Sequence, residues 1–206
     1  MYIRKSHRPR KAEDVVEFVR RHAFATLVTA SSSGIVASHL PFLFEPSPGG
    51  DYGVLYAHMA RANEHGELLS AGGESLVIFT GPHAYISPSW YADRATAPTW
   101  DYVAIHCYGR TRIHNPEEAE RNVRRLVDAM EAGGPNRWSM NDLPYPEIQA
   151  MLRNIISFEI SVSRIEAKFK LNQGEKPDRT AAAIQVLEGS GQSELADYMK
   201  RYNDLL

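Results

Sequence analysis

The feature that most constrains this chain is a run of strand signals with little helix between them. Residues 24–29 and 35–44 flank the turn Ser31-Ser32-Ser33-Gly34 and read as a hairpin. The loop 46–50 leads into a strand over 53–59. A short helix beginning near Arg61 and carrying residues 64–69 comes next, then an apolar strand over 75–80 that Gly81-Pro82 ends. A doubly wound sheet needs a crossover helix between successive parallel strands, and this order lacks that alternation. It predicts an α+β chain built on an antiparallel barrel with peripheral helices.

The rest of the chain adds to that frame. Residues 102–114 alternate with a period of two: Val103, Ile105, Cys107, Thr111 and Ile113 share one face, and Tyr102, His106, Tyr108, Arg110 and Arg112 the other. One face is core; the other meets water, a ligand or another subunit. Asn115-Pro116-Glu117-Glu118 starts a helix, with an Asn cap, Pro at the first position and acids in the first turn, running to about Met130 and stopping near Gly133. An earlier helix covers 12–21, where Val15, Val16, Phe18 and Val19 form a stripe. Near the end, Phe158, Ile160 and Val162 alternate with polar residues, and the apolar phase then moves to Ile165, Ala167, Phe169 and Leu171. That slip requires a bulge or break at Ser163-Arg164. The tail 178–206 reads as two short helices split by Gly189-Ser190-Gly191, closing what is expected to be one domain over 1–206.

Charge and motifs narrow the function. Lys plus Arg number 23 against 25 Asp plus Glu, a net −2 that argues against a broad polyanion-gripping face. The helix from Pro116 carries Arg121, Arg124 and Arg125, but Glu117, Glu118, Glu120 and Asp128 accompany them, as on a solvated face. No apolar run approaches bilayer-spanning length, and the basic start (Arg4, Lys5, Arg8, Arg10, Lys11) leads into Glu13 and Asp14. The expected location is the cytoplasm, with no membrane partner. The only cysteine, Cys107, fits a reducing compartment. Dinucleotide, P-loop, zincin and serine-hydrolase fingerprints are all absent, and no tight metal-ligand spacing occurs.

The densest unusual segment is 81–108, where Tyr85, Trp90, Tyr91, Trp100, Tyr102 and Tyr108 lie among His83, His106, Ser87, Ser89 and Thr99. Rings beside hydroxyls suit a planar, partly polar ligand; the same residues suit a packed loop at a subunit interface. His39 and His58 fall in strands, where a hydrogen-bonded structural role is the commoner one. Arg61 follows a strand and precedes a helix, a place where a guanidinium and helix-start N–H groups can converge on a phosphate; for a lone arginine, plain surface charge is the commoner reading.

The segments YAHMARAN (56–63), GPHAYISPSWY (81–91), APTWDYVAIHCYG (97–109), RWSM (137–140) and KFKLNQ (168–173) resemble, in order and spacing, the PaiB-type FMN-binding transcriptional regulators. The resemblance covers essentially the whole chain. It implies a split β-barrel of the pyridoxamine-phosphate-oxidase-like type, a homodimer with FMN between subunits. It also explains the missing Gly-rich fingerprint, because FMN has one phosphate and no adenylate. By that resemblance Ser38, His39 and Leu40 lie along the isoalloxazine, Arg61 with Asn63 holds the phosphate, and His58 ends the strand beneath. Trp90, Thr99, Trp100 and Tyr102 border the cleft, and Lys168 and Gln173 lie near its mouth.

Four departures stand out. Asp101 replaces the family's usual Asn after Pro-Thr-Trp, which puts an anion near the flavin or faces solvent. Glu64-His65-Gly66 replaces a usual Pro-Gln-Trp and predicts a more open cleft wall. Asn172 and Gly174 alter the Lys-Leu-Ser-Gln-Asn pattern, and Arg4 replaces an early proline. No residue stands out as a catalytic acid or base. The resemblance implies a flavin-binding negative transcriptional regulator, with flavin redox activity as an extension of it. The competing readings are a haem-binding or haem-degrading split barrel, given eight histidines, and a direct DNA-binding repressor, against which the charge balance speaks.

Overall fold

The computed structural model of the chain describes residues 1–32, 34–47 and 52–205. Helix α1 (Ala12–Arg21) is followed by β1 (Phe24–Ser31) and β2 (Gly34–Pro41), which pair antiparallel from Phe24 opposite Pro41 to Ser31 opposite Gly34. This is the hairpin read from the sequence; Ser33 of its turn lies outside the described residues, as do 48–50 of the loop expected over 46–50.

The single strand expected over 35–44 divides at Phe42 into β2 and β3 (Leu43–Pro46). Pro41 brings no N–H to a ladder, and the Phe42 N–H goes to the Ala23 carbonyl at 2.8 Å. With β1 left behind, β3 pairs with β4 (Gly53–Ala60), Leu43 opposite Tyr56. One apolar run thus serves two partners.

Helix α2 (His65–Ser70) leads to β5 (Glu74–Ile86), which passes straight through Gly81-Pro82, where an end was expected. The β1 ladder on β5 runs only from Thr29 opposite Ser75 to Thr26 opposite Ile78. Beyond it a proline on that flank removes no hydrogen bond. β6 (Thr99–Ile113), α3 (Pro116–Met130), α4 (Tyr145–Leu152), β7 (Ile155–Lys170), α5 (Pro177–Gly189) and α6 (Ser193–Tyr202) complete the order. The seven strands are arranged β2-β1-β5-β6-β7-β4-β3.

By its contacts the chain forms two compact units, and β5, β6 and β7 contribute residues to both. In the unit of Val16–Phe79 and His106–Ile165, β2 also packs against β4, the curling that a barrel requires. Its core centres on Phe42, whose ring lies 6.0 Å from that of Phe79 and 6.4 Å from that of Phe158, both edge-on. Cys107 is buried here and its thiol is pushed up to about 12, so it is inert. The α3 cap is a full capping box: Asn115 accepts from the Glu118 N–H, and Glu118 accepts from the Asn115 N–H. Halfway along α3, buried Asn122 donates to the Ala57 carbonyl at 3.1 Å and to Ser157 Oγ at 2.7 Å, tying the helix to β4 and β7.

The other unit joins Met1–Val15, Thr80–Ile105 and the chain from Glu166 onward. Buried Asp14 accepts the Arg10 and Lys11 N–H groups at the start of α1, together with the Tyr202 hydroxyl at 2.8 Å. Tyr202 stacks on Phe169, ring centres 5.0 Å apart, which fixes α6 on the end of β7.

Candidate functional site

Strand alternation sends Ser38 and Leu40 to one face of β2 and His39 to the other. Leu40 is buried, Ser38 half-buried and His39 exposed; His39 Nδ1 lies 3.1 Å from Thr26 Oγ1, and its ring stacks on Phe24. Asn63 Nδ2 donates to Ser38 Oγ at 3.2 Å, and its Oδ1 accepts the His65 N–H at 3.0 Å. His65, fully buried at the start of α2, puts Nδ1 2.9 Å from the same Ser38 oxygen. Burial lowers the His65 pKa, so its ring is neutral at physiological pH. Ser38, Asn63 and His65 form one polar cluster.

At Glu64-His65-Gly66, where a more open wall is expected, Gly66 packs directly on β7. A Cβ on Gly66 would lie 2.5 Å from Ile156 Cδ1, so β7 fills that space. His58 lies half-buried on β4 opposite Ser157, its pKa lowered by burial. The Arg61 guanidinium donates from Nε to the Arg153 carbonyl and from Nη2 to the Ile155 carbonyl, each at 2.7 Å. It lines a cleft of about 290 Å³ with Arg153, His114, Asn115 and Ser157, a lining that includes neither Ser38 nor Asn63.

The second unit holds the remaining expected residues. Trp90 sits in a short 3-10 turn capped by Ser87, whose Oγ accepts the Ser89 N–H. Lys170 donates to Thr99 Oγ1 and reaches Asp101 Oδ1 at 3.2 Å. Asp101 is buried, which settles its alternative placements against solvent, and burial raises its carboxyl to about 6 despite the opposing pull of Lys170. Trp100 is exposed, its ring edge-on to Tyr85 and tilted to His83. Lys168 Nζ stands 5.1 Å from the Tyr102 ring centre, a cation over a π face. Gln173 bonds within its own segment, accepting the Leu171 N–H and donating to the Phe169 carbonyl.

Sequence reasoning passed over His65 and Lys170 as site residues. His65 had one local signal, its place two residues after an Asn that could bond its N–H. Lys170 had only its strand face. Two of the three arginines of α3 are engaged by carboxylates: Arg124 by Glu120 at 2.8 Å, and Arg125, which covers the Tyr56 ring, by Glu45. Among the described residues no helix is long and apolar enough to cross a membrane.

Against known proteins, residues 1–164 match the family model described as "Putative FMN-binding domain". The Bacillus subtilis protein named "Protease synthase and sporulation protein PAI 2" is 31% identical over 203 residues, 97% of each chain. The flavocytochrome Anf3 of Azotobacter vinelandii shares the fold, with TM-score 0.61 at 13% identity over 84% of this chain and 74% of that one. The FAD and haem binding protein of Mycobacterium smegmatis does so with TM-score 0.58 at 14% identity, over 85% and 78%. The α+β sheet is thus the split barrel of flavin-binding proteins, FMN is the cofactor of the matched family, and the chain belongs to the FMN-binding domain family of PaiB-type proteins.

Proposed function

We propose that this chain is a cytoplasmic, FMN-dependent negative regulator of gene expression, a single 1–206 domain working as a homodimer with FMN at the subunit interface. The observation that carries the flavin reading is the convergence of Asn63 and His65 on the half-buried Ser38 hydroxyl. Such a preorganised donor suits the oxygens of a phosphorylated flavin. FMN when bound supplies electron chemistry; Ser38, His39, Leu40, His58, Arg61 and Asn63 bind and orient it. Trp90, Thr99, Trp100, Tyr102, Lys168 and Gln173 are proposed as flavin contacts of their own unit, each to be tested by its own variant. The regulatory role draws on near-full-length similarity to the sporulation protein.

Phe24, 67% exposed, and Ile35, 76% exposed, on β1 and the sheet-edge strand β2, support an interface between copies. The net charge of −2, with Arg124 and Arg125 of α3 engaged by carboxylates, favours regulation through the flavin or a partner over direct DNA contact. The haem reading draws on the fold shared with a flavocytochrome and with a FAD and haem binding protein. Releasing the chromophore from purified protein and identifying it by mass spectrometry tests the proposal. FMN is the expected product; a Soret band without flavin decides for haem.

A further inference from the structure

The Ser38 cluster contains more information than its membership. The orientation of the Asn63 amide is fixed by its neighbour: the His65 backbone N–H can donate only to an oxygen, so Oδ1 faces it at 3.0 Å and Nδ2 faces Ser38. One lone pair of Ser38 Oγ is therefore filled by Asn63. The second contact, 2.9 Å to His65 Nδ1, depends on which ring nitrogen carries the proton.

Burial settles that question. His65 is fully buried, and among the described residues its Nε2 has no hydrogen-bond partner. A neutral imidazole has one N–H. Placed on Nε2, it would be an orphaned buried donor, a rare and costly state. Placed on Nδ1, it is satisfied by Ser38, and Nε2 keeps only an unused lone pair.

We infer that His65 is a positioning residue: held as the Nδ1–H tautomer, it fills with Asn63 both lone pairs of Ser38 Oγ, so that the Ser38 hydroxyl is a one-way donor committed to an acceptor oxygen of the ligand. That oxygen belongs either to a phosphate or to a ring carbonyl, since both only accept. The same tautomer denies the pair a nucleophile–base role, because a ring that donates to a hydroxyl cannot take its proton. This inference rests on the flavin reading for its ligand but not for its tautomer.

Two measurements separate the parts. In apoprotein labelled with 15N-histidine, long-range 1H–15N spectra at pH 8 are expected to show His65 protonated on Nδ1; protonation on Nε2 overturns the inference. FMN and riboflavin are then titrated against wild type, His65→Asn, which keeps a donor near the Nδ1 position, and His65→Leu, which removes it. The Leu variant is expected to lose roughly tenfold in FMN affinity, and the Asn variant to stay within about threefold of wild type. Loss confined to FMN assigns the phosphate as acceptor; equal loss for riboflavin assigns the ring carbonyl. A folded Leu variant, with native circular dichroism, that binds both flavins like wild type overturns the inference. A wild-type chain that binds no flavin overturns the proposed function, and the tautomer alone then decides the role of His65.

Discussion

The ammonium of Lys170 lies 3.2 Å from the carboxylate of Asp101, a side chain that is 1% exposed. Asp101 also receives the Asn172 backbone N–H, so two of the residues that depart from the family pattern are partners of each other. The lysine does not fully offset desolvation. Burial raises the carboxyl from 3.8 to about 6, so between those values the folded state holds a proton that the unfolded chain has released. Stability therefore falls as pH rises through that window and is level above it. We expect Asp101→Asn to stabilise the protein by about 1 to 3 kcal/mol at pH 8 and to leave it nearly unchanged at pH 4, as read by urea unfolding. An equal effect at both pH values would show that the charge is not opposed by burial.

Arg61 should act on both the fold and the ligand. Its fork onto two backbone carbonyls predicts that Arg61→Ala lowers the thermal midpoint, by about 1 kcal/mol of stability. If it also meets the phosphate, FMN weakens about tenfold more than riboflavin. Equal loss for the two flavins would remove Arg61 from the phosphate site and leave it a backbone clamp.

Replacing Asn122 by Leu takes two donors from a buried site whose acceptors, the Ala57 carbonyl and Ser157 Oγ, stay behind. A loss of about 2 to 3 kcal/mol is expected by chemical denaturation. None of the three belongs to the Ser38 cluster, but Ser157 lines the cleft of Arg61, so a change in flavin affinity per folded molecule would point to that cleft.

Binding to a generic DNA duplex at physiological salt should be undetectable in a gel shift. The net charge is −2, and Arg124 and Arg125 of α3 are already engaged by carboxylates. Tight binding with a steep salt slope would make the repressor reading literal.

If two copies meet through β2, FMN should raise both the thermal midpoint and the resistance to dissociation on dilution. Ile35→Asp should then yield monomers with weakened flavin binding, followed by light scattering and flavin absorbance. The face carrying Tyr102, His106 and Tyr108 is a less open candidate, because the Arg164 guanidinium already lies 3.5 Å from the Tyr108 ring centre.

What the sequence made legible was local. The stripe of α1, the Asn115 cap and Pro116 start of α3, and the alternation of β6 all depend on near neighbours, and each is found within a few residues of its expected place. Partner exchange is not local. Nothing within 35–44 reveals that Pro41 and Phe42 hand the chain from β1 to β4, or that β1 ends before it reaches Pro82. Helix α4 has no place in the sequence reading, although Pro144 and Pro146 sit before and within its first turn, where no N–H is needed. In the site, the Ser38–Asn63 contact joins residues 25 apart, and the role of His65 depends on a burial that no spacing could announce.

The apolar phase of β7 slips by one residue at Ser163 and Arg164, both exposed, between buried Val162 and buried Ala167. Such a strand counts its residues. Neither side chain enters a core, so substitutions at the slip should cost only the surface contacts that Ser163 and Arg164 make with Tyr108. Deleting or inserting a single residue there would turn every later side chain to the opposite face, Phe169 and its stack on Tyr202 included. Along this stretch, homologous sequences should therefore vary more in letters than in length.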